Sequence, residues 1–195
     1  MLSDDQLNQP LYQDLSKFVM PEGVRGRPAW YCQLWWLIES LIVAPSPQIA
    51  FSWRAWWCRL FGAQLGKGVR IRPGVRIVYP WQLRVGDNVW IGNDVRIYNL
   101  APIAIGSHAV VSQGCHLCAG DHDAEDVSFP LRTAPISIGA QAWIAADCFI
   151  APGVTIGHGA VVGARSVVFS DMPPAMICHG HPCRPRRPRL SQSDG

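Results

Sequence analysis

The first residues with chemistry in them stand in a short polar run: residues 117–123 read Leu-Cys-Ala-Gly-Asp-His-Asp, so His122 lies between Asp121 and Asp123. An imidazole titrates near neutral pH and can take a proton from a reacting hydroxyl. It is fixed in one tautomer when a carboxylate or carbonyl accepts from its other nitrogen. His122 is therefore a candidate general base, the bland alternative being an ordinary loop histidine. Metal binding is the rival chemistry, because Cys115, His116, Cys118, Asp121, His122 and Asp123 are all ligand types. Against it, no second Cys-x-x-Cys or His pair follows at zinc-site spacing. Cys115 also falls on an inward position of the repeat described next, and no metal is expected.

What must position His122 is a repeat. Across residues 138–168 aliphatics recur at every sixth position, Ile138, Ile144, Ile150, Ile156, Val162 and Val168. The first five are followed by a small residue, and the fourth residue after each is again small or apolar: Ala142, Cys148, Val154, Ala160 and Ser166. A period of six matches neither a helix nor a plain strand, so each hexad is one short strand plus one corner. Stacked hexads wind into a parallel β-helix with the aliphatics inside. The same register runs through Leu65, Ile71 and Ile77, then Val85, Ile91 and Ile97, then Ile105, Val111 and Leu117, with a two-residue slip between sets. From Leu117 to Ile138 the spacing is 21 residues. One hexad step takes six, so about 15 residues leave the repeat as an excursion, and such excursions tend to carry function. The organisation that follows is an N-terminal arm and Trp-rich helical cap over residues 1–62, a β-helix over 63–172 with its excursion loop at 118–137, and a Pro/Arg-rich tail over 173–195.

The cap is the other apolar part. Residues 29–44 place Trp30, Leu34, Leu37, Ile38, Leu41 and Ile42 near helical spacing; residues 49–61 follow with Trp53, Trp56, Trp57 and Leu60 on one side and Arg54 and Arg59 off it. The pair is expected to cap the open end of the β-helix and bury its first coil. A second reading adds a peripheral membrane contact through residues 29–61, with the tryptophans at the bilayer interface and Arg54 and Arg59 on anionic headgroups. Neither segment has the uninterrupted apolar length of a membrane span. Over the whole chain the 17 Lys and Arg against 14 Asp and Glu leave a net charge of only +3, which argues against nucleic acid as a partner. Seven cysteines, an odd number with several at inward hexad positions, fit a reducing compartment. No export leader opens the chain, so a cytoplasmic location is expected, with the inner face of the cell membrane as its peripheral variant.

The hexads, the loop in the form Cys-x-Gly-x-His-Asp, Phe129-Pro130, Ala134-Pro135-Ile136, Ala142-Trp143-Ile144-Ala145, the run from Ala151-Pro152-Gly153 to Ile156-Gly157, and Val162-Gly163-Ala164-Arg165-Ser166 together resemble the hexapeptide-repeat acyltransferases. Within them the chain is most similar to the colanic-acid biosynthesis O-acetyltransferases, cousins of the galactoside, maltose and nodulation-factor enzymes. Gly66-Lys67-Gly68-Val69, Ile71-Arg72-Pro73 and Tyr79-Pro80-Trp81 agree with that narrower match. The resemblance implies an all-β, left-handed parallel β-helix of about five coils. It implies a homotrimer with active sites between subunits, acetyl-CoA as co-substrate and a saccharide as acceptor. His122 is then the base that deprotonates the acceptor hydroxyl as it attacks the thioester directly, without an acyl-enzyme. The backbone amide of Ala146 takes the oxyanion role, Trp143 and Ala145 lie beside it, and Gly163, Ala164 and Arg165 line the pantetheine groove. Arg184 and Arg187 match the family's C-terminal arginines, suited to coenzyme phosphates. Asp94, with Asn93 as the alternative, falls where sugar-acetylating relatives contact the acceptor. Two features depart from the pattern: Phe169-Ser170 replaces a Thr-Lys pair, removing a cation expected near the phosphates, and Gly180-His181-Pro182-Cys183 alters the final turn. The first of them leaves room for a non-catalytic scaffold of the same fold, and the second keeps the turn with other side chains. A metal-dependent hydratase is the other enzyme class on such a fold.

Overall fold

The computed structural model describes residues 11–190. Residues 1–10 of the expected arm and 191–195 of the expected tail lie outside them. Each hexad forms a strand of two or three residues and then turns. The first coil is β1 (Gln64–Leu65), β2 (Arg70–Ile71) and β3 (Arg76–Ile77); the second is β4 (Leu83–Val85), β5 (Trp90–Ile91) and β6 (Arg96–Tyr98); the third is β7 (Ile103–Ile105), β8 (Val110–Val111) and β9 (His116–Cys118). After β9 the chain leaves the repeat, as the expected excursion over 118–137, and this excursion forms an antiparallel hairpin of β10 (Gly120–His122) and β11 (Leu131–Thr133). It returns as β12 (Ile136–Ile138), β13 (Trp143–Ile144) and β14 (Phe149–Ile150), then β15 (Thr155–Ile156), β16 (Val161–Val162) and β17 (Val167–Val168).

Corresponding strands of the five coils pair in parallel, giving a three-sided prism whose faces are β1-β4-β7-β12-β15, β2-β5-β8-β13-β16 and β3-β6-β9-β14-β17. The aliphatic of each hexad stacks on its counterpart, as in the second-face column Ile71, Ile91, Val111, Ile144, Val162. All five are buried. Burying each such side chain contributes about 1.5–3 kcal/mol, so the columns are the main reason the coil holds. Both two-residue slips and the hairpin lie at one edge, where the chain passes from the third face to the first. At that edge the fully buried Asn99 satisfies the backbone that the slip takes out of the ladder. Its Oδ1 accepts from the Tyr79 amide at 2.9 Å and its Nδ2 donates to the Tyr79 carbonyl at 2.6 Å.

At the first coil the unpaired edge of the prism meets the cap, built of α1 (Ala29–Ile38), a π-helical turn (Glu39–Val43) and α2 (Phe51–Leu60). Trp35, Ala55, Cys58 and Phe61 join the prism core. Trp35 Nε1 donates to the Ile77 carbonyl at 2.7 Å, Trp36 Nε1 to that of Val78 at 3.0 Å, and Glu39 accepts from the Ile77 amide at 2.5 Å. Burial raises the Glu39 carboxyl above its ordinary range, the Ile77 amide and Arg76 pulling the other way. The orientation of both helices differs from the expected one. Trp30, Leu34, Leu37, Leu41, Trp53, Trp56 and Leu60 are exposed, while Arg54 is fully buried. Its guanidinium donates to the carbonyls of Ile71 (2.6 Å), Pro47 (2.8 Å) and Gln48 (3.0 Å). Arg59 donates to Gly66 at 2.7 Å. Arg54 is thereby buried away from any headgroup, and the exposed Arg59 also has donors on the coil edge.

The tail also differs. Residues 176–188 form an antiparallel hairpin, β18 (Met176–Gly180) and β19 (Cys183–Pro188), and β18 pairs in parallel with β16, extending the second face.

Candidate active site

His122 ends β10, held opposite Leu131. Its Nδ1 lies 2.9 Å from the Phe129 carbonyl oxygen. A carbonyl only accepts, so Nδ1 carries the hydrogen and Nε2 is left with its lone pair. Phe129 also stacks its ring on the imidazole, with centroids 4.3 Å apart and planes within 8°. Phe129 stands in the left-handed region at φ +49° immediately before Pro130, a conformation that a bulky residue avoids unless its surroundings impose it. The surroundings are a tight turn: the Phe129 amide donates to the Asp126 carbonyl at 2.8 Å, and the Ser128 amide to Asp126 Oδ1 at 2.8 Å. Those Ser128 hydrogen bonds hold the Asp126 carboxyl below its ordinary range. The arm closes over this turn, with the Asp14 amide on the Val127 carbonyl at 2.7 Å and the Phe18 ring 5.8 Å from His122. Of the acids flanking the histidine, Asp123 is taken by Arg132.

The donor-side candidates line a different edge, between the second and third faces. The Ala145 amide donates to the Val162 carbonyl at 2.9 Å and the Ala146 carbonyl accepts from Arg165 at 2.8 Å. Among the described residues the Ala146 N–H meets no acceptor, as at the equivalent turn positions Asn93 and Gln113. Trp143 is half exposed beside it and donates from Nε1 to Ser112 Oγ at 3.0 Å. Ala164 occupies the same turn position one coil further on, after Gly163, where a Cβ would come within 2.9 Å of the His179 Cβ. Arg165, at φ +59°, lies 3.9 Å from Asp147. Beyond them β19 sets Arg184 opposite His179 and Arg187 opposite Ile177. Both arginines sit on an ordered strand rather than a solvated tail.

Asn93 and Asp94 lie on this same edge, toward the cap, and line a cleft of about 420 Å³ with Arg70, Arg72, Trp90 and Ser112. Asp94 has a structural reason to be there as well. It fills a turn position at φ +58°, and its carboxylate lies over Gly74, where a Cβ would come within 2.0 Å of Oδ1.

One edge thus gathers Asn93, Asp94, Trp143, Ala145, Ala146, Gly163, Ala164, Arg165 and Arg184, with Arg187 next to it on the second face. His122 is not among them. Among the described residues, no hydrogen bond from residues 119–134 reaches the second face. The other ligand-type residues of the run are dispersed. Cys115 is buried with Sγ 3.0 Å from the Ala145 carbonyl. His116 packs on the third face between Tyr98 and Phe149, where burial and then Arg96 hold it below the usual imidazole range. No three such side chains among the described residues are placed to hold a metal ion. Two features had no role in the sequence reading: the Phe129 carbonyl, signalled by the turn residues Asp126 to Pro130, and the Arg70–Arg72 pair, signalled by alternation about the inward Ile71.

The family described as bacterial transferase hexapeptide (six repeats) matches residues 135–170, and the hexapeptide repeat of succinyl-transferase matches residues 82–120. The chain is 51% identical over 178 residues to a protein of Escherichia coli K12 named for colanic acid biosynthesis as the acetyltransferase WcaF, covering 91% of this chain and 98% of that one. Among solved structures, a galactoside acetyltransferase in complex with coenzyme A superposes with a TM-score of 0.75 at 26% identity, covering 93% of this chain and 92% of that one. A hexapeptide-repeat acetyltransferase of Vibrio cholerae complexed with acetyl coenzyme A gives 0.73 at 26%, covering 87% and 89%. The shared architecture is the left-handed β-helix.

Proposed function

The chain belongs to the hexapeptide-repeat acetyltransferases, and from that premise we propose that it is an acetyl-CoA-dependent O-acetyltransferase that modifies a sugar hydroxyl in surface-glycan biosynthesis, with His122 as general base. The observation that carries the proposal is the clamp on His122, whose Nδ1 is engaged by the Phe129 carbonyl at 2.9 Å, which favours the tautomer with its lone pair on Nε2. Acetyl-CoA as donor is supported by the neighbours solved with coenzyme A and acetyl coenzyme A. The glycan context is supported by the WcaF relative.

His122 Nε2 accepts the proton of the acceptor hydroxyl as its oxygen attacks the thioester carbonyl. The Ala146 amide donates to the oxyanion that forms there. Collapse of that adduct breaks the carbon–sulfur bond, and the imidazolium returns its proton to the departing thiolate. Arg184 and Arg187, at the far end of the same edge, are suited to the coenzyme phosphates. Asn93 or Asp94 receives acceptor hydroxyls in the cleft. His122 and Ala146 stand on different edges of one prism, which favours a homotrimer whose sites lie between subunits. There His122 of one protomer would meet the Ala146 edge of the next. A cytoplasmic location belongs to the same proposal, supported by seven unpaired thiols, six of them buried.

Replacing His122 by Ala should lower kcat by about 10²–10⁴-fold, the usual contribution of a positioned base. Affinity for CoA, read by calorimetry, and the assembly, read by sedimentation, should be retained. Full turnover in that variant would overturn the mechanism.

A further inference from the structure

The cap wears its hydrophobicity on the wrong side for a soluble protein. In α1 and the turn after it, Trp30, Leu34, Leu37 and Leu41 form one stripe at spacings of four, three and four residues, and all four are exposed. Trp53, Trp56 and Leu60 make the matching exposed stripe on α2, the first two rings stacked 6.0 Å apart. The stripes meet at an apolar groove of about 480 Å³, where Leu41, Ile42 and Pro45 face Trp53. Scattered surface leucines need no explanation, but a continuous aromatic and aliphatic patch does. The charge around it is equally uneven. Residues 29–77 hold six Lys and Arg against one acid, Glu39; Arg54 is buried and Arg76 lies 3.5 Å from Glu39, while Lys67, Arg70, Arg72 and Arg76 of the coil next to the cap are all exposed. Arg72 lies 6.0 Å from the Phe51 ring of α2, so this basic collar borders the cap.

We propose that the cap is a membrane-seating surface whose occupant is an anionic lipid bilayer. Trp and Leu enter the interface and the basic collar of the first coil meets the headgroups. The charge complementarity selects that occupant. A protein partner or a second copy would have to match an apolar patch ringed by cations, whereas an anionic bilayer offers both parts at once. No helix among the described residues is long and apolar enough to cross a membrane, so the cap lies on the surface. In the proposed trimer the three prism axes share one direction, which puts three caps on the same end and lets them bind together. The role differs from the headgroup reading of Arg54 and Arg59, since those two serve the coil edge and the collar residues replace them.

The full chain would be sedimented with vesicles of phosphatidylglycerol and phosphatidylcholine and with phosphatidylcholine alone, with brominated lipids quenching tryptophan emission. The expected result is binding to the anionic vesicles that weakens with salt, quenching on binding, and a loss of partition of about tenfold for each of Trp53→Ser and Trp56→Ser. These side chains are half exposed, so the variants should keep the wild-type melting temperature. Absence of binding to anionic vesicles at low salt, or partition unchanged in the double variant, would overturn the proposal. So would a wild-type assembly that halves in mass in the double variant, which would identify a second copy as the occupant.

Discussion

At the scale of single residues, the sequence marked His122 as a candidate base but not the group that orients it. His122 could be picked out because an imidazole flanked by acids at the mouth of the one long excursion has few structural reasons to be there. Its orienting partner is a main-chain oxygen seven residues on, for which the sequence offers only the turn residues Asp126 to Pro130 and no side chain to single out. The acids beside it were the visible candidates, and Asp123 is committed to Arg132 instead. Ala146 poses the same difficulty from the other side, since its proposed role belongs to an N–H that every residue but proline has. The fold supplies a way to test it. In the first coil the equivalent turn position is Pro73, followed by Gly74 at φ +75°, as Ala146 is followed by Asp147 at φ +59°. Such a turn accepts proline before its left-handed residue. Ala146→Pro should therefore fold and keep its melting temperature while lacking the amide. We expect kcat to fall by about 10²–10³-fold, the typical loss for one oxyanion donor, with a smaller change in the KM for acetyl-CoA. Wild-type kcat in a folded Ala146→Pro enzyme would remove the amide from the mechanism.

At the scale of elements, the hexads could be read almost strand by strand, because a period of six fixes which residue points inward and a misplaced strand would bury charge. The helices could not. Apolar periodicity chooses the buried face only when burial is the main demand, and at the open end of a β-helix the stronger demand is for partners to the unpaired carbonyls and amides of the first coil. That demand turned Arg54, Glu39 and Trp35 inward and Trp30, Trp53 and Trp56 outward. The hairpin of β10 and β11 and the tail strands β18 and β19 were missed because their strands, Gly120–His122, Leu131–Thr133 and the Pro/Arg-rich Cys183–Pro188, lack the hexad pattern of inward aliphatics. Arg54 makes the cap's contribution measurable. Replacing it by Met removes donors to the carbonyls of Ile71, Pro47 and Gln48, the first of them on a buried residue. The expected loss in urea unfolding is about 2–4 kcal/mol, with Lys recovering only part of it because an ammonium cannot span that fork of acceptors. An unchanged midpoint for Arg54→Met would mean that the first coil does not rely on the cap.

At the scale of the whole molecule, the separation of the two halves of the chemistry is the property that decides assembly. In the proposed mechanism one protomer offers His122 on the edge between its third and first faces, and the Ala146 amide and the Asn93–Asp94 cleft on the edge between its second and third. A single prism has no concavity joining them, and a groove between two prisms does. If neighbouring protomers complete each other, two inactive variants should be able to rescue one another. A His122→Ala subunit still offers an intact Ala146 edge, and an Ala146→Pro subunit still offers an intact base. Unfolding the two together in equal amounts and refolding them should give mixed assemblies, trimers on the proposed arrangement. A site is whole when its base comes from one variant and its amide from the other, so random mixing restores about a quarter of the wild-type sites. Each variant refolded alone should stay inactive, and mixing the folded trimers without unfolding should restore nothing until subunits exchange. Recovery near a quarter places the site between subunits. No recovery, with sedimentation showing that mixed trimers had formed, would mean that the hairpin reaches the Ala146 edge of its own chain.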